Sequence, residues 1–283
     1  MNLILYLAIV SFVIIILTSL YELYLFKNAP FLIKDDAIET LNTSLSIIIP
    51  TYNEEINIKN CLTALSKIKD PSNEFKILIL DDSSNDDTIL IAERCKQELY
   101  KNKSILEIIP AGERPKDKNW VGKNWACYQG SKRVESEWIL FMDADVIVER
   151  YCIFNALSKS LNDQIDLLSL APKVNCNFLS EWLVQPIMTS LIMLGFPISN
   201  INNPEVSKAF AAGPFMLFKR QSYEKIGGHK GTFNEIVEDI VLARKIKDSN
   251  LKLSFLIAIE EISLNMYKDI NSLIEGWSKN WFL

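Results

Sequence analysis

The sequence predicts an α/β fold in which a mostly parallel central sheet carries helices on both faces, preceded by an N-terminal transmembrane helix. Three observations lead to this prediction. An uncharged apolar segment opens the chain. Short apolar runs typical of buried strands then alternate with segments of helical periodicity. Acidic residues follow directly after several of these runs, where ligands bind in such sheets.

The N-terminal segment is predicted to span a membrane. The 19 residues from Leu3 to Tyr21 carry no charge, and as a helix they would be about 28 Å long, close to the thickness of a bilayer core. A cleaved signal peptide is less well supported, because no basic residue precedes the run and no small-residue cleavage site is evident. A buried core helix is the third alternative.

Charge next to this segment predicts its orientation. Lys27 and Lys34 follow it and no basic residue precedes it, so the positive-inside rule places the rest of the chain in the cytoplasm. We therefore expect a single-pass anchor at residues 1–26 in the cell inner (plasma) membrane. A linker at 27–44 and one cytoplasmic domain at 45–283 would follow.

The first half of the domain is predicted to alternate strands and helices. Apolar runs predict strands at Leu45 to Pro50, Phe75 to Leu80, Ile105 to Ile109 and Trp138 to Met142. Helical spacing and capping residues predict helices at Asn53 to Lys69, at Asp86 or Asp87 to Leu99, and at Lys123 to Val134. The lysine-rich stretch from Gly112 to Gly122 is expected to be a loop.

The second half is less regular. The apolar stretch from Trp182 to Ile198 contains two prolines and is too short and broken for a spanning helix. We expect a buried or membrane-surface helix there. Gly213-Pro214 indicates a turn or a close approach to a ligand. Val237 to Lys247 has the pattern of an amphipathic helix.

Composition excludes several classes of protein. The chain is 49% hydrophobic and 23% charged, which excludes a disordered chain. A net charge of −5 argues against a nucleic-acid partner, since such proteins usually carry a basic face. The five cysteines form no C-x-x-C pair, which argues against a disulfide framework and a thiolate zinc site. A single histidine, His229, argues against a multi-histidine metal site.

Three acidic pairs are the candidates for chemistry. Asp143 and Asp145 follow an apolar run, and two aspartates in this spacing can direct oxygens at one Mg²⁺ or Mn²⁺ ion. Asp81-Asp82 also follows a predicted strand and could accept hydrogen bonds from a base or ribose. Glu238-Asp239 opens a predicted helix and could supply a general base. A solvated turn or a helix cap remains the alternative for each pair.

Four motifs in order resemble family 2 glycosyltransferases, which have the GT-A fold, a Rossmann-like α/β fold. They are P-T-Y-N-E from Pro50, L-D-D-S-S-N-D-D-T from Leu80, D-A-D from Asp143 and V-E-D from Val237. W-V-G-K-N-W-A from Trp120 and A-A-G-P-F-M-L from Ala211 are similar to membrane-bound bacterial members, including hopanoid-associated, carotenoid and ceramide-type glycosyltransferases. The resemblance makes 45–283 the catalytic domain.

The resemblance implies a metal-dependent, inverting transfer of a sugar from a nucleotide-sugar donor, with a UDP-sugar favoured, to a hydroxyl acceptor that is lipid or membrane-associated. It also implies a role for each matching residue. The donor would be held by Pro50, Thr51, Asn53, Glu54, Asp82, Lys123 and Asp143, with Asp82 near the base and Lys123 near the diphosphate. Asp145 would bind the Mg²⁺ or Mn²⁺ ion, Asp239 would be the catalytic base, and Gly213, Glu238 and Trp277 would shape the acceptor side.

Parts of the sequence also match other classes of protein. Asp143-Ala144-Asp145-Val146 matches the nucleophile motif of haloacid-dehalogenase-type phosphatases, although that motif usually opens its domain. A nucleotidyltransferase would carry a glycine-rich N-terminal loop, and a non-catalytic membrane scaffold would bind no nucleotide. The Q-x-x-R-W-like motif of processive and ceramide-type relatives corresponds to Gly276-Trp277-Ser278-Lys279-Asn280-Trp281 here. Its missing arginine argues against polymer synthesis.

Overall fold

The computed structural model describes residues 3–33, 41–101 and 105–281. The strands are β1 Leu41–Thr51, β2 Ser72–Asp81, β3 Leu106–Pro110, β4 Trp138–Met142, β5 Val146–Val148, β6 Leu167–Ala171, β7 Lys173–Val174, β8 Phe215–Lys219, β9 Leu253–Ile257 and β10 Ile262–Leu264. The helices are α1 Leu3–Lys27, α2 Ile58–Leu65, α3 Thr88–Leu99, α4 Gly122–Ser131, α5 Cys152–Asn162, α6 Leu179–Gly195, α7 Ile198–Asn202, α8 Arg220–Lys225, α9 Glu238–Asp248 and α10 Ile270–Trp281, with a 3₁₀ helix at Gly228–Thr232.

The main sheet has seven strands within the described residues, in the order β3-β2-β1-β4-β8-β6-β9. The pairs β3–β2, β2–β1, β1–β4 and β6–β9 are parallel, and β8 runs antiparallel to both of its neighbours. The predicted α/β fold with a mostly parallel sheet is therefore confirmed. The described residues also form a smaller, three-stranded sheet, in the order β5-β10-β7.

Both faces of the main sheet are covered. Along β1, Ile47 and Ile49 belong to one buried cluster, which also contains the inner faces of α2, α3 and α5. Ile48 belongs to a second cluster on the opposite face, together with residues of α4, α8 and α9. Neighbouring residues of a strand point to opposite faces, so burial on both faces explains why β1 reads as a continuous apolar run.

Several predicted boundaries differ from the observed ones. β4 matches its prediction at both ends, whereas β1 begins four residues earlier, at Leu41, inside the expected linker. The helix expected from Asn53 begins only at Ile58, because Asn53 has a left-handed φ of 56° and starts a turn. The expected linker also covers residues 34–40, including Lys34, which lie outside the described residues.

The two apolar helical segments differ in form. From Leu5 to Lys27, α1 is long and apolar enough to cross a membrane and is not buried by the rest of the chain. A signal sequence near the N-terminus meets the same test. α6 is one continuous helix of 17 residues with Pro186 inside it. It begins three residues before the expected segment and ends at Gly195, before Pro197, which cannot continue a helix easily.

Candidate active site

The acidic turn after β4 forms one wall of a cleft at the carboxyl end of the sheet. β4 is buried along its whole length and ends at Met142. The chain then turns, with the backbone N–H of Val146 donating to the carbonyl of Asp143 over 3.3 Å. The backbone N–H of Asp143 donates to the carbonyl of Pro214 just before β8, over 3.2 Å. The strand and its neighbour therefore fix where the two aspartates lie.

Asp145 carries an unpaired carboxylate oxygen. Its Oδ1 is buried and has no hydrogen-bond partner in the described part of the chain. Desolvation first, and then the nearby charges of Asp143 and Glu54, raise the pKa of Asp145 to about 8, although Lys123 opposes them. A shielded carboxylate among other carboxylates is stabilised by a cation, so Asp145 suits a hard divalent ion.

The described residues do not complete a metal site by themselves. Among the residues that the structure describes, no group of three or more His, Cys, Asp or Glu side chains is placed to hold a metal ion. Glu54 belongs to the same acidic environment, since burial and the charge of Asp143 raise its pKa as well. An ion at Asp145 would therefore need further ligands from a bound molecule or from water.

Lys123, at the start of α4, lies between Asp143 of one acidic pair and Glu238 of another. Its Nζ lies 2.8 Å from Oδ1 of Asp143 and 3.1 Å from Oε1 of Glu238. Burial acts to lower the pKa of Lys123, but the charges of Asp143 and Glu238 outweigh it and hold the pKa well above its usual value. Lys123 is therefore a permanent positive charge on the cleft wall, suited to an anionic ligand.

Asp82 follows β2 and is held by an arginine from the loop before α4. Nε and Nη2 of Arg114 donate to the two carboxylate oxygens of Asp82, which is itself buried. Gly122 lies directly against this pair, and a Cβ there would overlap the Asp82 carboxylate. A glycine at this position lets the backbone of α4 approach the ion pair.

The turn after β1 is fixed by side chains of the loop after β2. The backbone N–H of Asn53 donates to Oγ of Ser84 over 3.0 Å, and Oδ1 of Asn53 accepts from the N–H of Asn85 over 2.8 Å. The N–H of Glu54 donates to Oγ1 of Thr88 over 2.7 Å. Asn53 thus holds the two loops together and does not line the cleft.

Asp239 lies at the start of α9, against the turn before β8. The N–H of Gly213 donates to its Oδ2 over 2.9 Å, and the N–H of Ile240 donates to its Oδ1 over 2.8 Å. Desolvation and the charge of Glu238 raise the pKa of Asp239 to about 7, against the opposing effect of Lys123. A carboxyl group that titrates near neutral pH is suited to exchange a proton with a ligand.

Several of these residues line one cleft of about 420 Å³. It is lined by Pro50, Thr51, Tyr52, Glu54, Asp82, Arg114, Gly122, Lys123, Ala126, Asp143, Ala144 and Asp145. It lies outside the carboxyl ends of β1, β2 and β4. β2 and β3 lie on one side of β1 and β4 lies on the other, so the strand order reverses at β1. Ligands bind at such a point in open α/β sheets.

Most of the residues expected from the sequence therefore lie together. Gly213, Glu238 and Asp239 adjoin the cleft through Lys123, since a Cβ on Gly213 would lie 3.1 Å from Asp239 Oδ2 and 3.2 Å from Lys123 Nζ. Trp277 is not among the residues that line the cleft. It lies on α10, which packs against α6. Its role on the acceptor side, like the other assigned roles, stays a prediction.

Sequence reasoning missed Arg114 and Tyr52. Arg114 lies in a loop that the sequence marked only as polar and lysine-rich, and its pairing with Asp82 depends on the path of that loop. The sequence does show that Arg114 lies between two segments predicted to contribute residues to the site. Tyr52 lies inside the P-T-Y-N-E motif and lines the cleft, with 55% of its surface exposed.

Comparison with known proteins gives a family and two sets of relatives. The sequence model of the family described as Glycosyl transferase family 2 matches residues 46–227, well over half of the chain. A 4,4'-diaponeurosporenoate glycosyltransferase of Staphylococcus haemolyticus is 26% identical over 267 residues, which cover 93% of this chain and 68% of the relative. The protein of the same name from Staphylococcus aureus strain MRSA252 is 26% identical over 249 residues, covering 86% of this chain and 62% of the relative.

Solved structures share the fold. The mannosyltransferase PcManGT from Pyrobaculum calidifontis, in complex with GDP-Man and Mn²⁺, has a TM-score of 0.62 and 17% identity, covering 94% of this chain and 72% of that one. Staphylococcus aureus TarS 1-349 with UDP-GlcNAc has a TM-score of 0.55 and 20% identity, covering 81% of this chain and 60% of that one. These similarities confirm the predicted GT-A-like fold.

Proposed function

The chain belongs to glycosyltransferase family 2, and we propose that it transfers a sugar from a nucleotide diphosphate donor to a lipid or membrane-associated acceptor, inverting the anomeric carbon. Membership of the family makes it a nucleotide-sugar glycosyltransferase and excludes the phosphatase and scaffold alternatives. The observation that carries the finer proposal is the cleft, which places Asp82, Lys123, Asp143 and Asp145 around one volume.

The donor would lie across this cleft. The base would contact Asp82 and Arg114, together with the Pro50 loop, and the diphosphate would lie near Lys123, whose charge is already held by Asp143 and Glu238. A UDP-sugar is favoured and a GDP-sugar is the alternative. Complexes with both classes exist among proteins of this fold, with UDP-GlcNAc in TarS and GDP-Man in PcManGT.

A divalent cation would be held at Asp145. The unpaired, shielded Oδ1 of Asp145 and the raised pKa of its carboxyl group support this assignment. Mn²⁺ or Mg²⁺ would supply positive charge next to the leaving diphosphate and lower the energy of its departure. PcManGT and glucosyl-3-phosphoglycerate synthase from Mycobacterium tuberculosis have both been solved with Mn²⁺.

The chemistry needs a base on the side of the acceptor. The acceptor oxygen would bond to the anomeric carbon from the face opposite the diphosphate, while the bond from that carbon to the diphosphate oxygen breaks. Asp239 would take the hydroxyl proton, and hydrogen bonds from Gly213 and Ile240 hold its carboxylate in place. A single displacement of this kind inverts the anomeric centre.

The acceptor is proposed to be lipid-like. The chain carries an N-terminal helix that is long and apolar enough to span a bilayer, and relatives are named for glycosylation of 4,4'-diaponeurosporenoate, a carotenoid. The chain spans 68% and 62% of those two relatives. We place the helix in the plasma membrane and the catalytic domain in the cytoplasm, with Glu238, Gly213 and Trp277 on the acceptor side.

Calorimetric titration of UDP and GDP into the purified full chain, with and without Mn²⁺, tests the donor and metal assignments. We expect one nucleotide to bind at least tenfold more tightly with Mn²⁺, because the ion joins Asp145 to the diphosphate. Asp145→Asn should abolish that metal dependence while keeping the side-chain volume.

Asp117→Asn is the matched control, since Asp117 is exposed in the loop between Gly112 and Gly122, and it should bind as the parent does. Failure of folded protein to bind either nucleotide would overturn the assignment of this cleft as the donor site. Equal binding with and without Mn²⁺ would overturn the metal assignment only.

A further inference from the structure

The exposed face of α6 is apolar apart from Thr189, and two polar residues of the helix point into the protein. Leu179, Trp182, Leu183, Ile187 and Leu191 are all exposed, with Trp182 at 65%. Steps of three and four residues place them on one side of a helix. Glu181 and Gln185 are buried instead. This is the reverse of the usual arrangement for a helix on the surface of a water-soluble domain.

Contacts on the buried side fix this orientation. Oε2 of Glu181 accepts a hydrogen bond of 2.8 Å from the backbone N–H of Asn177, and Nε2 of Gln185 donates to the sulfur of Met266 over 3.5 Å. Oε2 of Glu181 and Nε2 of Gln185 have these partners, whereas Oε1 of Glu181 has none among the described residues. Turning the helix over would separate Gln185 from Met266. The contact between Gln185 and Met266 therefore keeps the apolar side of α6 facing outward.

α10 extends the same kind of surface. It packs against α6, and Ile270 and Ile274, one turn apart, are exposed at 51% and 59%. We call the exposed apolar residues of the two helices the α6–α10 surface; they are Leu179, Trp182, Leu183, Ile187, Leu191, Ile270 and Ile274. Contiguous exposed apolar residues on this scale mark a contact with a partner or a membrane.

The position of α1 identifies the partner. Glu22 is the first charged residue after the uncharged run of α1, so in a spanning α1 it lies at the boundary between acyl chains and headgroups. Oγ of Ser190 on α6 donates to Oε2 of Glu22 over 3.1 Å. This bond holds α6 at the level of that boundary, where an exposed tryptophan is also favourable.

We propose that the α6–α10 surface lies on the lipid bilayer as a second membrane contact, with α6 resting along the interface beside the spanning α1. This inference rests on the membrane anchor in the proposed function and adds a contact that the anchor does not require. The bilayer is favoured over a second copy of the chain because the Glu22–Ser190 bond makes the surface continuous with the exposed face of α1.

The contact would restrain the orientation of the catalytic domain. Lys268, before α10, is close enough to Glu54 of the cleft for its charge to lower the pKa of that carboxyl group. Met266 in the same segment contacts α6 through Gln185. A bilayer against α6 and α10 would therefore lie on the side of the domain where that segment meets the cleft. An amphipathic acceptor could then reach the cleft without leaving the membrane.

Quenching by brominated lipids tests the proposal in the full chain. Single cysteines labelled with a fluorophore are introduced as Ile187→Cys and Leu183→Cys, in a Cys176→Ser background because the other four cysteines are buried. The protein is reconstituted in phosphatidylcholine vesicles that carry bromine near the glycerol backbone or near the methyl ends of the chains. Leu90→Cys on α3, also an exposed leucine, is the matched control, and Val13→Cys reports on α1.

We expect strong quenching at positions 187 and 183 by the shallow bromines, weaker quenching by the deep ones, and none at position 90. Quenching at Val13 without quenching at 187 and 183 would overturn the second contact and leave the anchor standing. Absence of quenching at all of these positions would overturn both. Quenching of native Trp182, taken as the difference from Trp182→Phe, gives a readout that needs no labelled cysteine.

Discussion

At the scale of single residues, the two carboxylates of each acidic pair in the site have different surroundings. Asp143 is paired with Lys123, whereas one oxygen of Asp145 has no partner within the described part of the chain. Glu238 is also paired with Lys123, whereas Asp239 accepts bonds from backbone N–H groups. In each pair one carboxylate neutralises the lysine and the other has a raised pKa. Carboxyl groups with a raised pKa are typical of sites that move protons or hold ions.

The pH dependence of turnover should report Asp239. Its pKa is raised to about 7 and a base must be deprotonated, so we expect kcat/KM to fall roughly tenfold per pH unit below that value. Glu238→Gln removes a charge that raises this pKa and should move the acidic limb to lower pH. The measurement is a set of kcat/KM values across pH for the parent and the variant.

Glu224→Gln is the control, because it removes an exposed carboxylate on α8. It should leave the acidic limb of the kcat/KM profile at the same pH as in the parent. A limb that stays at the same pH in Glu238→Gln would show that Asp239 is not the titrating base. A profile with no acidic limb in the parent would point to an acceptor that attacks as an anion and needs no base.

At the scale of elements, α4 is positioned by how closely it approaches the sheet. A Cβ on Gly130 would lie 2.7 Å from Cγ2 of Ile48 in β1 and 3.0 Å from Cδ2 of Leu80 in β2. Gly130 therefore allows the end of α4 to lie against the two strands that end at the cleft. The start of the same helix carries Gly122 and Lys123, so its position also sets where the lysine meets Asp143.

Gly130→Ala should move this helix away from the sheet. The added methyl has no room, and overpacking costs about 1–3 kcal/mol, more than the gain of about 1 kcal/mol from replacing a glycine inside a helix. We expect a lower unfolding temperature and weaker nucleotide binding together. Thermal unfolding followed by circular dichroism, with titration of the nucleotide, measures both.

Gly195→Ala serves as the comparison, because nothing lies within 4 Å of a Cβ at the end of α6. It should leave both quantities unchanged or raise the unfolding temperature slightly. Unchanged stability and binding in Gly130→Ala would contradict the view that the close approach of α4 positions Lys123.

At the scale of the whole molecule, the acidic site makes stability depend on pH. The folded-state pKa values of Asp145 and Asp239 are raised to about 8 and about 7. The folded protein therefore binds more protons than the unfolded chain above the ordinary pKa of aspartate, and this stabilisation is lost as pH rises through 7 and 8. Buried His229 acts in the opposite direction below its ordinary pKa of 6.5, because its folded-state pKa is lowered to about 3.

Between pH 6.5 and pH 8 the aspartates should therefore dominate. We expect the free energy of unfolding, measured by urea denaturation without divalent ions, to decrease across this interval. Asp145→Asn should flatten the decrease and raise stability at pH 8, since it removes a shielded charge. Adding Mn²⁺ to the nucleotide-bound protein at pH 8 should raise the stability of the parent and not that of the variant. A stability that rises across the interval would contradict the pKa values on which the site rests.

Much of the molecule follows from local pattern. Strands buried on both faces must be apolar along their length, so β1, β2 and β4 can be recognised in the sequence as apolar runs. The predicted bounds of β4 are correct at both ends. The carboxyl ends of parallel strands meet at one edge of a sheet. The positions of Asp82, Asp143 and Asp145 after predicted strands therefore predict that the three lie close together. Helix starts were less visible, because turns such as the one at Asn53 depend on bonds to a distant loop.

The sequence by itself determined the fold class, the apolar N-terminal helix and the acidic residues of the cleft, because each depends on periodicity or on residues close in the chain. Only the tertiary structure decided which carboxylates are neutralised, that Arg114 holds Asp82, and that α6 turns its apolar face outward beside α1. These depend on contacts between residues tens of positions apart. Such contacts are set by packing and desolvation, which no local pattern records.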